Sequence, residues 1–172
     1  MMFKKSLAAT AVMSALASTL VLASFGAQAQ TLRIANQGDA LSLDPHSLNE
    51  SLQLSVASNV YEGLTDRNKD LTLAPGLATS WKQTSPSIWR FDLRKNVQFH
   101  DGTPFTADDV IFSFARAAGD GSDVKAKVND IKEVRKVDSH TIDIETKGPF
   151  PILPEVLASM FIMSKEWSEE NK

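Results

Sequence analysis

Residues 89–114 read WRFDLRKNVQFHDGTPFTADDVIFSF, and the fold class turns on them. In Trp89-Arg90-Phe91-Asp92-Leu93-Arg94 apolar and charged residues alternate, which predicts a strand with one dry face and one wet face. Asp101-Gly102 is a turn signal. Thr106-Ala107-Asp108-Asp109 then resembles a capping box with Asp in place of Glu. The Thr106 hydroxyl is expected to accept from the Asp109 amide, and both carboxylates sit at the positive end of the helix dipole. Val110, Ile111, Phe114 and Ala118 form the expected buried face, and Gly119-Asp120-Gly121 ends the helix.

Working outward, Val128 to Val137 and Thr141 to Thr146 read as a hairpin about Asp138-Ser139-His140, with Ile142 and Ile144 inward. Pro149, Pro151 and Pro154 punctuate the entry to a last short helix near Glu155 to Ser159. Upstream, Leu64 to Asp66 and Leu71 to Leu73 flank the polar turn Arg67-Asn68-Lys69-Asp70, and Trp81 opens an extended run broken at Ser85-Pro86. Leu52, Val56 and Val60 recur every fourth residue and predict a helix that Asn49 or Ser51 caps and Gly63 ends. Gln37 to Pro45 reads as a loop. Thr31 to Asn36, with Leu32 and Ile34 on one face, reads as a strand and is expected to be an exposed edge. The expected fold is α+β, a mixed, mostly antiparallel sheet with about three packed helices.

Composition narrows the function. The 172 residues carry 18 Lys plus Arg, 21 Asp plus Glu and no cysteine. Disulfide scaffolds, thiolate zinc sites and cysteine nucleophiles are therefore excluded. A net charge of −3 with scattered basic residues does not suit nucleic acid, and none is expected as a partner. Met1 to Gln30 has a basic start at Lys4 and Lys5, an apolar run from Leu7 to Phe25, and Ala27-Gln28-Ala29 as a small-x-small site. This is the layout of a secretory signal peptide, with cleavage expected near Ala29 and a periplasmic destination.

No catalytic constellation emerges. His46, His100 and His140 lie in predicted loops or turns, at no metal-ligand spacing, and are expected to be exposed. No serine stands in a Gly-x-Ser-x-Gly elbow. Gly119-Asp120-Gly121-Ser122-Asp123 lacks the ligand ladder of a calcium loop. Asp108 and Asp109 point about 100° apart on a helix, so capping explains them better than acid–base work. Trp81 and Trp89 read as core rather than a stacking platform. No catalytic residue, metal or cofactor is expected, and the chain is not expected to be an enzyme.

Several stretches in order resemble one family. They are Ser42-Leu43-Asp44-Pro45, Tyr61-Glu62-Gly63-Leu64, Leu73-Ala74-Pro75-Gly76-Leu77-Ala78 with Trp81, Trp89 to Arg94, and Phe99 to Val110 followed by Phe112-Ser113-Phe114. Their order and spacing are similar to the N-terminal part of the extracellular solute-binding proteins of family 5, which serve ABC importers of peptides, dipeptides and nickel. The resemblance implies part of one lobe of a type II periplasmic-binding-protein fold. It divides the chain into 1–29 as signal peptide, 30–61 as the opening slice of the ligand-contacting subdomain, and 62–172 as the accessory subdomain. Members run several times longer, so the chain is expected to be an N-terminal portion with weak or no ligand affinity of its own. The implied partners are a peptide or similar small solute and an inner-membrane ABC permease complex, with a monomer expected for the full-length protein. In peptide-binding members the segment after Leu-Asp-Pro lies along the ligand backbone as an added strand. The matching residues here are about Leu48 to Ser51, which makes Asn49, Glu50 and Ser51 the candidate ligand contacts. Their alternative role is only to cap the Leu52 helix. A stand-alone secreted interaction module without solute binding is the alternative function.

Overall fold

The computed structural model describes residues 31, 33 and 35–171. The expected leader, and Leu32 and Ile34 of the expected first strand, lie outside the described residues. The account that follows is of the compact unit beginning at Gln37.

The alternation at Trp89 becomes β4 (Ile88–Leu93) at the centre of an antiparallel sheet. With β3 (Ala78–Ser85), β5 (Ile131–Asp138) and β6 (Thr141–Thr146) it forms the order β3-β4-β6-β5. The chain leaves β4, crosses through α2 (Ala107–Ala118) and α3 (Lys125–Val128), and returns as β5 at the far edge. The two-residue turn Ser139-His140 then folds β6 back between β4 and β5. Val128, expected in the hairpin, instead closes α3.

Register aligns the dry residues in rows: Trp81 opposite Phe91 opposite Ile142, and Trp89 opposite Ile144 opposite Val134. Phe91, Ile142 and Ile144 are fully buried, and both tryptophans pack half-buried against this core, as expected. On the wet face Arg90 grips its register partner Asp143 with two hydrogen bonds of 2.8 Å, and Arg135 and Lys132 share Glu145. Such pairs, half open to water, add little stability.

The expected capping box opens α2, and within it the Thr106 hydroxyl also accepts from the Asp108 amide at 3.3 Å. Asp109 is buried and uses both oxygens. Oδ2 accepts from the Thr106 amide at 2.9 Å, and Oδ1 accepts from the Lys165 amide at 2.9 Å. The N-terminus of α2 is thereby tied to the first residue of α5 (Lys165–Glu170). Along α2 the buried seam runs Val110, Phe114, Ala117; Ala118 is exposed, since one more residue turns the side chain about 100° away.

A second, two-stranded sheet pairs β1 (Thr65–Arg67) with β2 (Leu73–Pro75) across the expected polar turn. It packs beside α4 (Leu153–Val156) and a 3-10 turn over Leu157–Ser159, with the fully buried Thr65 hydroxyl donating to the Pro154 carbonyl at 2.6 Å.

Helix α1 (Ser51–Ala57) departs from expectation in three ways. Its N-cap is Glu50, whose side chain makes no capping bond, so neither Asn49 nor Ser51 caps it. It ends at Ala57, well short of Gly63. Its buried residues are Gln53 and Ala57, whereas Leu52 and Val56 are half-buried and Val60 is exposed. Gly63 serves a different purpose. A Cβ there would lie 2.5 Å from the Leu157 carbonyl oxygen, and one on Gly76 would lie 2.6 Å from the Gly63 carbonyl oxygen. The two glycines let three backbone segments pack side by side.

Helices number more than the three expected, because α3 and α5 add to the count. Helix α5 has its own cap, Ser164, accepting from the Trp167 amide at 3.2 Å. Among the described residues no helix is long and apolar enough to cross a membrane.

Candidate ligand-binding site

The segment Leu48 to Ser51 sits between a loop fastened to the core and the first turn of α1. Asn49, Glu50 and Ser51 are all exposed. Glu50 has extended backbone, with φ −109° and ψ 147°. Among the described residues, the amides of Leu48, Asn49 and Glu50 and the carbonyls of Leu48 and Asn49 make no backbone hydrogen bond. An extended stretch with unused donors and acceptors is what an added strand needs.

Several bonds hold the loop that carries it. Asp44 takes a fork of two bonds from Arg116 of α2, Nη1 to Oδ1 at 2.9 Å and Nη2 to Oδ2 at 2.5 Å. Its Oδ1 also accepts from the His46 amide at 2.9 Å, which closes a tight turn over buried Pro45. Burial pushes the Asp44 carboxyl upward, but the bonds from Arg116 and the His46 amide outweigh it, so the group stays below the ordinary carboxylate range. The Tyr61 hydroxyl donates to the Leu43 carbonyl at 3.1 Å, and Gln53 Nε2 donates to the Ser42 carbonyl.

His46 is the largest departure from expectation. It was expected to be exposed, yet it is only 1% accessible. Its Nε2 lies 3.0 Å from the Phe161 carbonyl oxygen, and its own carbonyl accepts from the Asp123 amide at 3.0 Å. The residue does lie in a loop, but that loop is bonded to Arg116, Asp123 and Phe161 rather than left in water. His100 is exposed and His140 half-buried.

Two grooves flank the loop. One, of about 440 Å³, is lined by Ser51 together with Glu62, Asp66 and Arg94, and there Arg94 meets Glu62 at 3.0 Å. The other, of about 550 Å³, is mainly apolar, with Leu43, Phe112, Met163 and Trp167 around the Asp44–Arg116 pair. Of the three candidate contacts only Ser51 lines either groove. The residues that fasten the loop, His46, Arg116 and Gln53, were missed, because they lie far apart in sequence and none belongs to a local pattern.

Comparison with known proteins gives a model match over residues 72–172 to the bacterial extracellular solute-binding proteins, family 5 middle region. The chain belongs to this family. It is 30% identical to the periplasmic oligopeptide-binding protein OppA of Escherichia coli, over 90% of this chain and 33% of that protein. It is 31% identical to the periplasmic murein peptide-binding protein MppA of the same organism, over 74% of this chain and 29% of that one. Among solved structures, Escherichia coli MppA superposes with a TM-score of 0.72 at 28% identity, over 80% of this chain and 31% of that one. NikZ from Campylobacter jejuni, solved with Ni(L-His), gives 0.70 at 28% identity, over 77% of this chain and 27% of that one. The α+β unit is thus part of a type II periplasmic-binding-protein fold. The chain spans about a third of the length of the curated family members it matches.

Proposed function

We propose that this chain supplies the N-terminal third of a periplasmic substrate-binding component of an ABC importer, with peptides as the solute. In this reading residues 1–29 are a leader removed near Ala29, 30–61 open the ligand-contacting subdomain, and 62–172 form the accessory subdomain of the first lobe. Asn49, Glu50 and Ser51 lie along the ligand backbone, and an inner-membrane permease complex receives the loaded, monomeric protein. The role is capture rather than catalysis.

The observation that carries the reading is the segment Leu48 to Glu50, exposed at Asn49 and Glu50, with main-chain donors and acceptors unused among the described residues, on a loop fastened by His46 and the Asp44–Arg116 fork. Main-chain pairing suits peptides of any sequence, because amides and carbonyls recur in all of them. Half of a closing site cannot bury a ligand from two sides, so affinity belongs to the longer protein.

The test is a chimera in which residues 31–171 replace the matching third of Escherichia coli OppA, with peptide binding followed by calorimetry. Asn49→Ala keeps the backbone and is expected to bind like the parent chimera. Asn49→Pro removes an amide donor and is expected to lose at least about tenfold, with an unchanged melting temperature. Equal affinity for the Pro and Ala variants contradicts main-chain recognition at this segment.

A further inference from the structure

The two buried side-chain polar atoms without a partner among the described residues are His46 Nδ1 and Ser122 Oγ. The first belongs to the imidazole that fastens the ligand-proximal loop. Because Nε2 faces a carbonyl oxygen at 3.0 Å, it carries the proton, and Nδ1 of the neutral ring is then a bare acceptor buried away from water. Protonating Nδ1 places a charged N–H where no acceptor waits, and burying an unpaired charge is costly.

We propose that His46 is a pH-sensitive latch: only as the neutral imidazole does it hold the loop Asp44 to Ser51 against the segment at Phe161. Three charged side chains act on the ring through their fields. Asp44, from its own loop, favours protonation but is already committed to Arg116. Arg116 from α2 and Lys127 from α3 oppose it. Lys127 is itself half-buried, its amine donating to the Ser159 carbonyl at 2.8 Å. Asp123, ahead of α3, contributes its amide to the His46 carbonyl. Burial first, then these two cations, push the imidazole below its ordinary value, against the pull of the Phe161 carbonyl and Asp44.

The sign follows from linkage. An opened loop puts His46 in water, where it titrates near about 6.5. Above that value neither form binds a proton, and the latch contributes in full. As pH falls below it, the open form takes up a proton that the closed form refuses, so closure weakens until the lowered closed-state value is reached. If the closed ring stays neutral, moving from pH 7.5 to 5.0 raises the opening constant by about thirtyfold. Asp44, held below its ordinary value, remains charged throughout that interval. What the latch does for ligand capture rests on the reading of Leu48 to Ser51 given above; the latch itself does not.

Native-state hydrogen exchange by NMR, corrected for intrinsic rates, tests it on the mature chain. The Asp123 amide reports the loop, because it bonds across to the His46 carbonyl. Between pH 7.5 and 5.0 its opening constant is expected to rise by about ten- to thirtyfold, while amides of β4 and β6 change little. His46→Gln retains an amide donor for the Phe161 carbonyl without titrating, and should hold the same change below about twofold. An equal pH response in His46→Gln, or an equal response in the central sheet, overturns the proposal. A second measurement needs no variant: a wild-type His46 ring that titrates at the ordinary value overturns it too. Peptide binding by the chimera is scored separately. A working latch with a silent Asn49→Pro condemns the ligand reading alone, and a dead latch with an Asn49→Pro loss condemns the latch alone.

Discussion

Replacing Gly63 by alanine tests the packing of three backbones directly. The added Cβ meets the Leu157 carbonyl oxygen at 2.5 Å, the Thr65 carbonyl oxygen at 3.1 Å and the Met160 carbonyl oxygen at 3.3 Å. Ordinary contact begins near 3.4 Å, and all three neighbours are main chain, so no rotamer change relieves the clash. Relief requires the 3-10 turn to back away by about 0.9 Å, which opens the seam around Leu157 and Met160. Overpacking a tight core costs about 1–3 kcal/mol. The bridge between Gly63 and Phe161 is strained by the same movement, and losing a hydrogen bond there adds about 1 kcal/mol. The expected loss is about 3 kcal/mol, or about 10 °C in melting temperature for a unit of this size. Gly148 is the control: an added Cβ meets nothing within 4 Å, so Gly148→Ala should be neutral or stabilise by about 0.5 kcal/mol through the unfolded chain. Urea unfolding of both variants, at unchanged slope, measures the difference. If Gly63→Ala falls within about 0.5 kcal/mol of the parent, the close approach is not what holds this position as glycine.

Three further outcomes follow from single contacts. Asp109→Asn leaves one oxygen to serve the Thr106 and Lys165 amides and turns an NH2 group on the other, so a loss of about 1–3 kcal/mol is expected in urea unfolding. Thr65→Val keeps the shape but strands the Pro154 carbonyl, and should cost about 1–2 kcal/mol in the same assay. Ile144→Ala empties a fully buried position between Trp89 and Val134 and should cost about 2–5 kcal/mol, with near-ultraviolet dichroism of the tryptophans altered.

The β4 strand, the Ser139-His140 hairpin and the capping box of α2 were legible because each rests on residues a few positions apart: alternation, a polar turn, a hydroxyl three residues before a carboxylate. Helix α5 carried the same kind of signal in Ser164 and went unread. Helix α1 misled because its apolar row is not the row that is buried; Gln53 faces inward to reach the Ser42 carbonyl. Gly63 and His46 were not legible. Their roles are set by partners about a hundred residues away, Leu157 and Phe161, and no local pattern records such a meeting. The candidate site shows the same division. Asp44-Pro45 and the exposed segment after it came from the family resemblance, whereas the residues that hold that segment in place required the fold.

Calorimetric titration with mixed di- to pentapeptides tests the central claim most directly, run on residues 31–171 alone and on their chimera with the remaining two-thirds of Escherichia coli OppA. The chain alone should show no heat of binding up to about millimolar peptide, and the chimera should bind at about micromolar concentration. Micromolar binding by the chain alone, or a folded chimera that binds no peptide, would contradict the account.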